Sequence, residues 1–101
     1  MIAKAQFTAD YIKALAHPTR LAILETLKAG EKCVCEILPE VGLEQSNVSQ
    51  HLAKMREKGV LESRKEGNSV YYRVKDRRIY DALDTIKDII VAEMEKTSAI
   101  V

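Results

Sequence analysis

Residues 46–74, SNVSQHLAKMREKGVLESRKEGNSVYYRV, hold the two patterns that decide the fold. In the first half Val48, Leu52 and Met55 recur every three to four residues, which at 100° per residue draws one apolar stripe along a helix. Ser46 reads as the N-cap of that helix, and Gly59 closes it after Lys58. In the second half the period changes to two. Leu61 to Glu66 and Ser69 to Val74 read as strands around Gly67-Asn68, a turn pair that tolerates positive φ, and the alternation of Val70, Tyr72 and Val74 predicts a half-buried second strand. A helix with one buried face therefore runs into a two-stranded hairpin.

Upstream, residues 5–16 place Phe7, Tyr11, Ile12 and Leu15 on one helical face, and His17-Pro18 stops that helix because the residue before proline avoids the helical region. Pro18 suits the first position of a second helix, which carries Leu21, Leu24 and Leu27 to Gly30, while His17 reads as a capping or packing residue. A short third helix spans roughly Cys33 to Val41 and ends at Gly42. Downstream, a long helix from about Arg77 to Lys96 carries Ile79, Leu83, Ile86, Ile90 and Met94. The reading is a mostly α chain with a two-stranded β wing, in the order of a winged helix-turn-helix. In that arrangement the helix after the turn enters the major groove and the hairpin touches the flanking backbone.

The composition fits such a domain. A chain of 101 residues is the size of one domain, 1–101, and 47% hydrophobic with 31% charged residues excludes a disordered or collagen-like chain. No apolar run approaches the ~18 residues of a membrane span, and Met1-Ile2-Ala3-Lys4 lacks a signal-peptide core, so a cytoplasmic protein without membrane partners is expected. The formal net charge of +1 hides an asymmetry. Residues 54–78 hold nine basic side chains against four acidic ones, and the remainder holds seven against eleven. One quarter of the sequence is built for an anion.

The helix opposite its apolar stripe carries Ser46, Asn47, Gln50 and Lys54, short or amide side chains near an N-terminus, and an amide such as Asn47 or Gln50 can pair bidentately with adenine. Ser49 and His51 flank the stripe and can reach phosphates or neighbouring helices. In the hairpin Arg64, Lys65 and Arg73 are the candidate phosphate contacts, with Asn68 at the tip. Together with Gln45, which opens the same stretch, these form the candidate DNA-contacting set. Cys33 and Cys35 are expected as free thiols in a reducing compartment, since on a regular helix residues two apart point about 200° away from each other.

Three stretches resemble the ArsR/SmtB family of arsenic- and metal-responsive repressors: Ala14 to Leu24 (ALAHPTRLAIL), Cys33-Val34-Cys35-Glu36-Ile37, and Gln45 to Arg56 (QSNVSQHLAKMR) running on to Gly59-Val60-Leu61. With the wing through Tyr71-Tyr72-Arg73-Val74 the likeness spans about residues 10–76. It implies a homodimer, joined through the first and last helices (about 1–16 and 77–96), that binds operator DNA of dyad symmetry and is released by an effector. It also implies that Cys33 and Cys35 are the ligands of that effector, As(III) or another soft ion such as Sb(III), Cd(II) or Pb(II). A position near a helix N-terminus beside Lys32 favours thiolate. If both cysteines lie on a regular helix, one ion can take both sulfurs only when that turn unwinds, which would distort the helix-turn-helix unit.

This sequence departs from the family pattern at Leu38, where arsenic sensors often carry a third cysteine. The last helix offers Asp81, Asp84, Asp88, Glu93 and Glu95 but no histidine, which argues against the family's zinc site. Two other readings use the same thiols. A repressor sensing oxidants or reactive sulfur needs no metal ion. A small thiol enzyme is disfavoured by the Cys-x-Cys spacing and by the absence of a general base or phosphate loop in the sequence.

Overall fold

The computed structural model describes residues 2–100. Five helices and three strands follow in the order α1 (Ile2–Leu15), α2 (Pro18–Leu27), β1 (Lys32–Cys33), α3 (Val34–Val41), α4 (Gln45–Glu57), β2 (Leu61–Glu66), β3 (Ser69–Val74) and α5 (Arg78–Ile100). None of the described helices is long and apolar enough to cross a membrane. The architecture is the expected winged helix-turn-helix, with α3 and α4 as the two helices around the turn.

Local chemistry explains most boundaries. His17 is extended, and its Nδ1 accepts the Thr19 backbone N–H at 3.0 Å, so the His-Pro pair caps α2 as read. Gly42 sits at φ 72°, a left-handed C-cap that turns the chain from α3 into α4. α4 starts earlier than the Ser46 cap anticipated. Glu44 is its N-cap, and the Val48 N–H donates to the Glu44 carbonyl at 3.1 Å, which leaves Ser46 already inside the first turn. At the wing tip only Gly67 has positive φ, 61°, and Asn68 does not.

The sheet has one strand more than the sequence suggested, in the order β1-β3-β2. Lys32 and Cys33 pair with Tyr72 and Tyr71, so the root of the wing is held from both edges. The hairpin register sets Leu61 opposite Val74, Glu62 opposite Arg73 and Arg64 opposite Tyr71.

The core gathers Ile23, Leu24 and Leu27 from α2, Ile37 from α3, and Val48, Leu52 and Met55 from α4, all at 0% exposure, with Val60 and Leu61 beneath them. α5 joins this core only at its beginning. Ile79 and Tyr80 are buried, the Tyr80 hydroxyl donates to the Leu24 carbonyl at 2.6 Å, and burial pushes that phenol's pKa up. Beyond Leu83, Ile86, Ile89, Ile90, Val91 and Met94 of α5 are exposed. On α1 Tyr11 and Leu15 pack on the core, whereas Phe7 and Ile12 are exposed. A groove of about 1030 Å³ between the two helices is lined by Tyr11, Ile12, Leu15, Leu83 and Ile86.

Candidate nucleic-acid interface

α4 leaves Gln45, Ser46, Asn47, Gln50 and Lys54 exposed, away from its three buried residues, while Ser49 and His51 are half-buried on its flanks. The helix is gripped on both sides. On one flank Arg56 donates to Ser63 Oγ of β2 at 3.3 Å. On the other, Arg20 of α2 donates from Nε to His51 Nδ1 at 3.0 Å and from Nη1 to the Ala14 carbonyl at 3.1 Å, and the His17 and His51 rings lie 4.3 Å apart. Burial first, then the neighbouring His17 and Arg20, pull the His51 pKa down. A neutral imidazole keeps Nδ1 available as Arg20's acceptor. His51 is thus an interhelical clamp with one ring nitrogen, Nε2, outside the Arg20 hydrogen bond.

The wing divides its charges between two faces, because side chains alternate along a strand. Ser63 and Lys65 share the face of the buried Leu61, the side that Arg56 of α4 reaches. Glu62, Arg64 and Glu66 share the other. There Arg64 pairs with Glu31 and with Glu66, each at 2.7 Å, and lies over the Tyr71 ring at 4.7 Å, while Arg73 pairs with Glu62 at 2.8 Å. The hydrogen bond to Arg64 holds the Glu31 carboxyl below its usual range. Lys65 has no carboxylate partner among the described residues. Of the three cations read as phosphate contacts, two are therefore partly neutralised on the far face, by exposed pairs of the kind worth about 0–1 kcal/mol each. Asn68 is exposed at the tip as expected.

The cysteines depart furthest from expectation. Cys33 and Cys35 are joined by a disulfide with a Cα–Cα distance of 5.3 Å, not free thiols. The expectation failed because it placed both on a regular helix. Cys33 is instead the extended N-cap of α3, with φ −78° and ψ 163°, and its N–H donates to Glu36 Oε1 at 3.1 Å. With one residue extended and the next two helical, the side chains at i and i+2 converge. The turn that was to unwind on ligation is already open. Lys32 does not stand by to favour a thiolate either, since its ammonium pairs with Glu40 at 2.7 Å. Pro39, a feature the sequence reading passed over, has no N–H to donate to the Cys35 carbonyl four residues back, which loosens the same turn.

Cys33 is buried at 3% exposure and Cys35 is exposed. Both line a cavity of about 270 Å³, whose other walls are Val34, Leu38, Gln45 at the start of α4, and Asn68, Ser69 and Val70 at the wing tip. The two cysteines therefore border the space between the start of α4 and the wing tip.

Comparison with known proteins agrees with the fold. The family model described as "Bacterial regulatory protein, arsR family" matches residues 17–63. The chain is 36% identical over 93 residues to an uncharacterized HTH-type transcriptional regulator of Mycobacterium tuberculosis, covering 91% of this chain and 82% of that one. The crystal structure of the same regulator superposes with a TM-score of 0.80 at 34% identity, over 91% of this chain and 93% of that one. The arsenical resistance operon repressor of Escherichia coli is 40% identical over 90 residues, covering 88% of this chain and 77% of the repressor. A homodimeric winged helix-turn-helix DNA-binding domain from Mycobacterium bovis, a possible ArsR-family regulator, superposes with a TM-score of 0.80 at 28% identity, over 94% of this chain and 88% of that one.

Proposed function

Because this chain belongs to the bacterial ArsR family of transcriptional regulators, we propose that it is a homodimeric repressor that reads a dyad-symmetric operator and leaves it when a thiophilic ion occupies Cys33 and Cys35. In this reading residues 1–101 form one domain, and the bare apolar faces of α1 and α5 (about 1–16 and 77–96) join two copies. α4 enters the major groove with Gln45, Ser46, Asn47, Gln50 and Lys54 toward base edges and nearby phosphates, and Ser49 and His51 at the groove margins. Lys65 meets a phosphate directly. Arg64 and Arg73 do so by exchanging carboxylate partners, and Asn68 follows the groove at the tip. A reducing cytoplasm is the compartment in which the thiols are open to an ion.

The observation that carries the effector assignment is the shared cavity. Two sulfurs close enough to bond to one another can hold one soft ion between them, and the exposed Cys35 admits it from solvent. Leu38 lines the cavity where family arsenic sensors often have a third sulfur, so an exogenous thiol or solvent oxygen completes the coordination. That extra ligand has to fit among Gln45, Asn68, Ser69 and Val70. The strain therefore falls on the start of α4 and the wing tip, not on the α3 turn, and biases the dimer toward the form with lower operator affinity.

A second reading uses the bond seen in the structure. Oxidation of the two thiols to the disulfide, with two electrons and two protons passing to the oxidant, changes the same cavity without any ion. One experiment separates the two. Duplexes selected from a random pool by the reduced protein are titrated by fluorescence anisotropy, with arsenite under reductant and, separately, with a thiol oxidant. Loss of affinity with arsenite supports the first reading. Loss only with oxidant, reversed by reductant, replaces it with the second, and indifference to both removes Cys33 and Cys35 from regulation.

A further inference from the structure

On the flank of α4 away from the wing, a cleft of about 250 Å³ opens between the end of α1, the start of α2 and the second half of α4. It is lined by Lys13, Arg20, Lys54 and Lys58 together with Asp10 and Ala14. Lys13, Lys54 and Lys58 have no carboxylate partner among the described residues. Arg20 spends its hydrogen bonds on the neutral acceptors His51 Nδ1 and the Ala14 carbonyl, so its charge is uncompensated too. The one acid, Asp10, accepts from Gln6 Nε2 at 3.0 Å rather than from a cation. Four cations around one acid, none paired, on elements that also form the scaffold, call for an anion.

We infer that this cleft is a second clamp for the DNA backbone, opposite the wing, with Lys13, Arg20 and Lys58 as phosphate contacts beyond the recognition helix's own set. The inference rests on the reading of α4 as a major-groove helix. A helix with its side chains is about 10–12 Å across and the major groove is about 12 Å wide, so a helix seated there has a phosphate backbone against each flank. The flank toward the wing is marked by Arg56 on Ser63 and by Gln45 in the cavity beside the wing tip. The flank toward the cleft is marked by His51 under Arg20 and by Lys54 and Lys58 at its rim. Wing and cleft therefore stand where the two backbones of one groove would run. Lys54 belongs to both the reading face and the cleft rim, which makes the two surfaces continuous. Arg20 adds a second role: by holding His51 and the end of α1 it fixes the angle between α4 and the clamp.

The test uses the full-length reduced protein and a labelled duplex of about 30 base pairs, enough for two half-sites a helical turn apart. Binding is measured as a function of salt for the wild type, the double variant Lys13→Ala/Lys58→Ala, Lys65→Ala and Asp10→Asn. Removing one cation from a phosphate lowers the slope of log K against log salt by about 0.9. The double variant is expected to show about two such steps per bound protomer on both a selected duplex and a random one. Asp10→Asn, which only removes a repulsive charge, is expected to tighten binding to both duplexes. A double-variant slope equal to wild type, while Lys65→Ala lowers it, overturns the clamp and leaves the DNA-binding reading intact. A wild-type chain that binds no duplex overturns both. Inorganic phosphate that binds the wild type but not the double variant, while the two have equal salt slopes on DNA, overturns the assignment to the DNA backbone and makes the cleft a free-anion site. Asp10→Asn keeps the test decisive should the double variant fold poorly.

Discussion

The dimer assigned to the α1 and α5 faces should come apart on replacing Ile90 by Asp. Along α5 the stripe Ile79, Ile86, Ile90, Met94 begins in the core at 6% exposure and becomes bare at 50, 52 and 64%. Fully burying an isoleucine side chain is worth about 1.5–3 kcal/mol, so covering the exposed half of Ile90 contributes about 1 kcal/mol. Two-fold symmetry counts the residue twice, which brings its share to about 2 kcal/mol, or about 30-fold in the dissociation constant. An aspartate must in addition leave water without a partner, and the combined effect should exceed about 100-fold. Ile90→Leu, which keeps the volume, should leave the dimer intact. Sedimentation equilibrium over a concentration series reads the constant directly, with circular dichroism to confirm that the helices persist. A folded Ile90→Asp protein that still dimerises like wild type would refute the assignment of this stripe to the interface.

Three further outcomes follow from the site. Cys33→Ser/Cys35→Ser should bind the selected duplex as the reduced wild type does and respond to neither arsenite nor oxidant; because Cys33 is buried, the serine hydroxyl there should cost about 1–3 kcal/mol in urea unfolding, and a double variant still released by arsenite would move the effector site elsewhere. Lys65→Ala should lower the salt slope by about 0.9 per protomer, whereas Arg64→Ala, which also frees Glu31 and Glu66, should weaken binding more than it flattens the slope; equal slopes for the two would show that the wing does not distinguish its faces. Asp76 accepts the Arg78 N–H at 3.0 Å and pairs with its guanidinium at 2.7 Å, which depresses its pKa to about 2. A folded-state pKa below the unfolded value means that this group's stabilisation is present above pH about 4 and is lost as pH falls toward 2. NMR titration should find the Asp76 midpoint near 2 and, in Arg78→Ala, nearer the ordinary 3.8; no movement in that variant would show that the pair does not set it.

The parts of the fold that repeat over ten or more residues were legible in the sequence. Val48, Leu52 and Met55 mark one face of α4 by spacing alone, and their burial needed no knowledge of partners. β1 left no such trace, because two residues cannot display a period, and it exists only because β3 offers an unpaired edge. The cysteine error has the same root. A helical angle was applied across a boundary, and the boundary is set by Cys33 pairing with Tyr71 and giving its N–H to Glu36. The positive charge of residues 54–78 was legible, but its neutralisation was so only in part. Glu62 opposite Arg73 follows from the register once the Gly67 turn is placed. Glu31 beside Arg64, 33 positions away, depends on the chain returning through β1. Lys58 lies one turn past Lys54 and could have been read from the helix itself, whereas Lys13 and Arg20 join it only through the packing of α1 and α2.

These placements give the two flanks of α4 different roles. Cys33, Cys35, Gln45 and the wing tip share a cavity on one flank, so an effector bound there would act on the wing contacts and the first turn of α4. The other flank is fixed by Arg20 through His51 and Ala14 and has no contact with that cavity. None of its four cations lines that cavity. Release by the effector should therefore remove the contacts that depend on register, the base edges and the wing, while a salt-sensitive, sequence-independent attraction persists through the cleft. A repressor built this way would give up its operator without giving up DNA. The small net charge of +1 does not oppose that division, since residues 54–78 hold nine basic side chains against four acidic ones and the remainder seven against eleven.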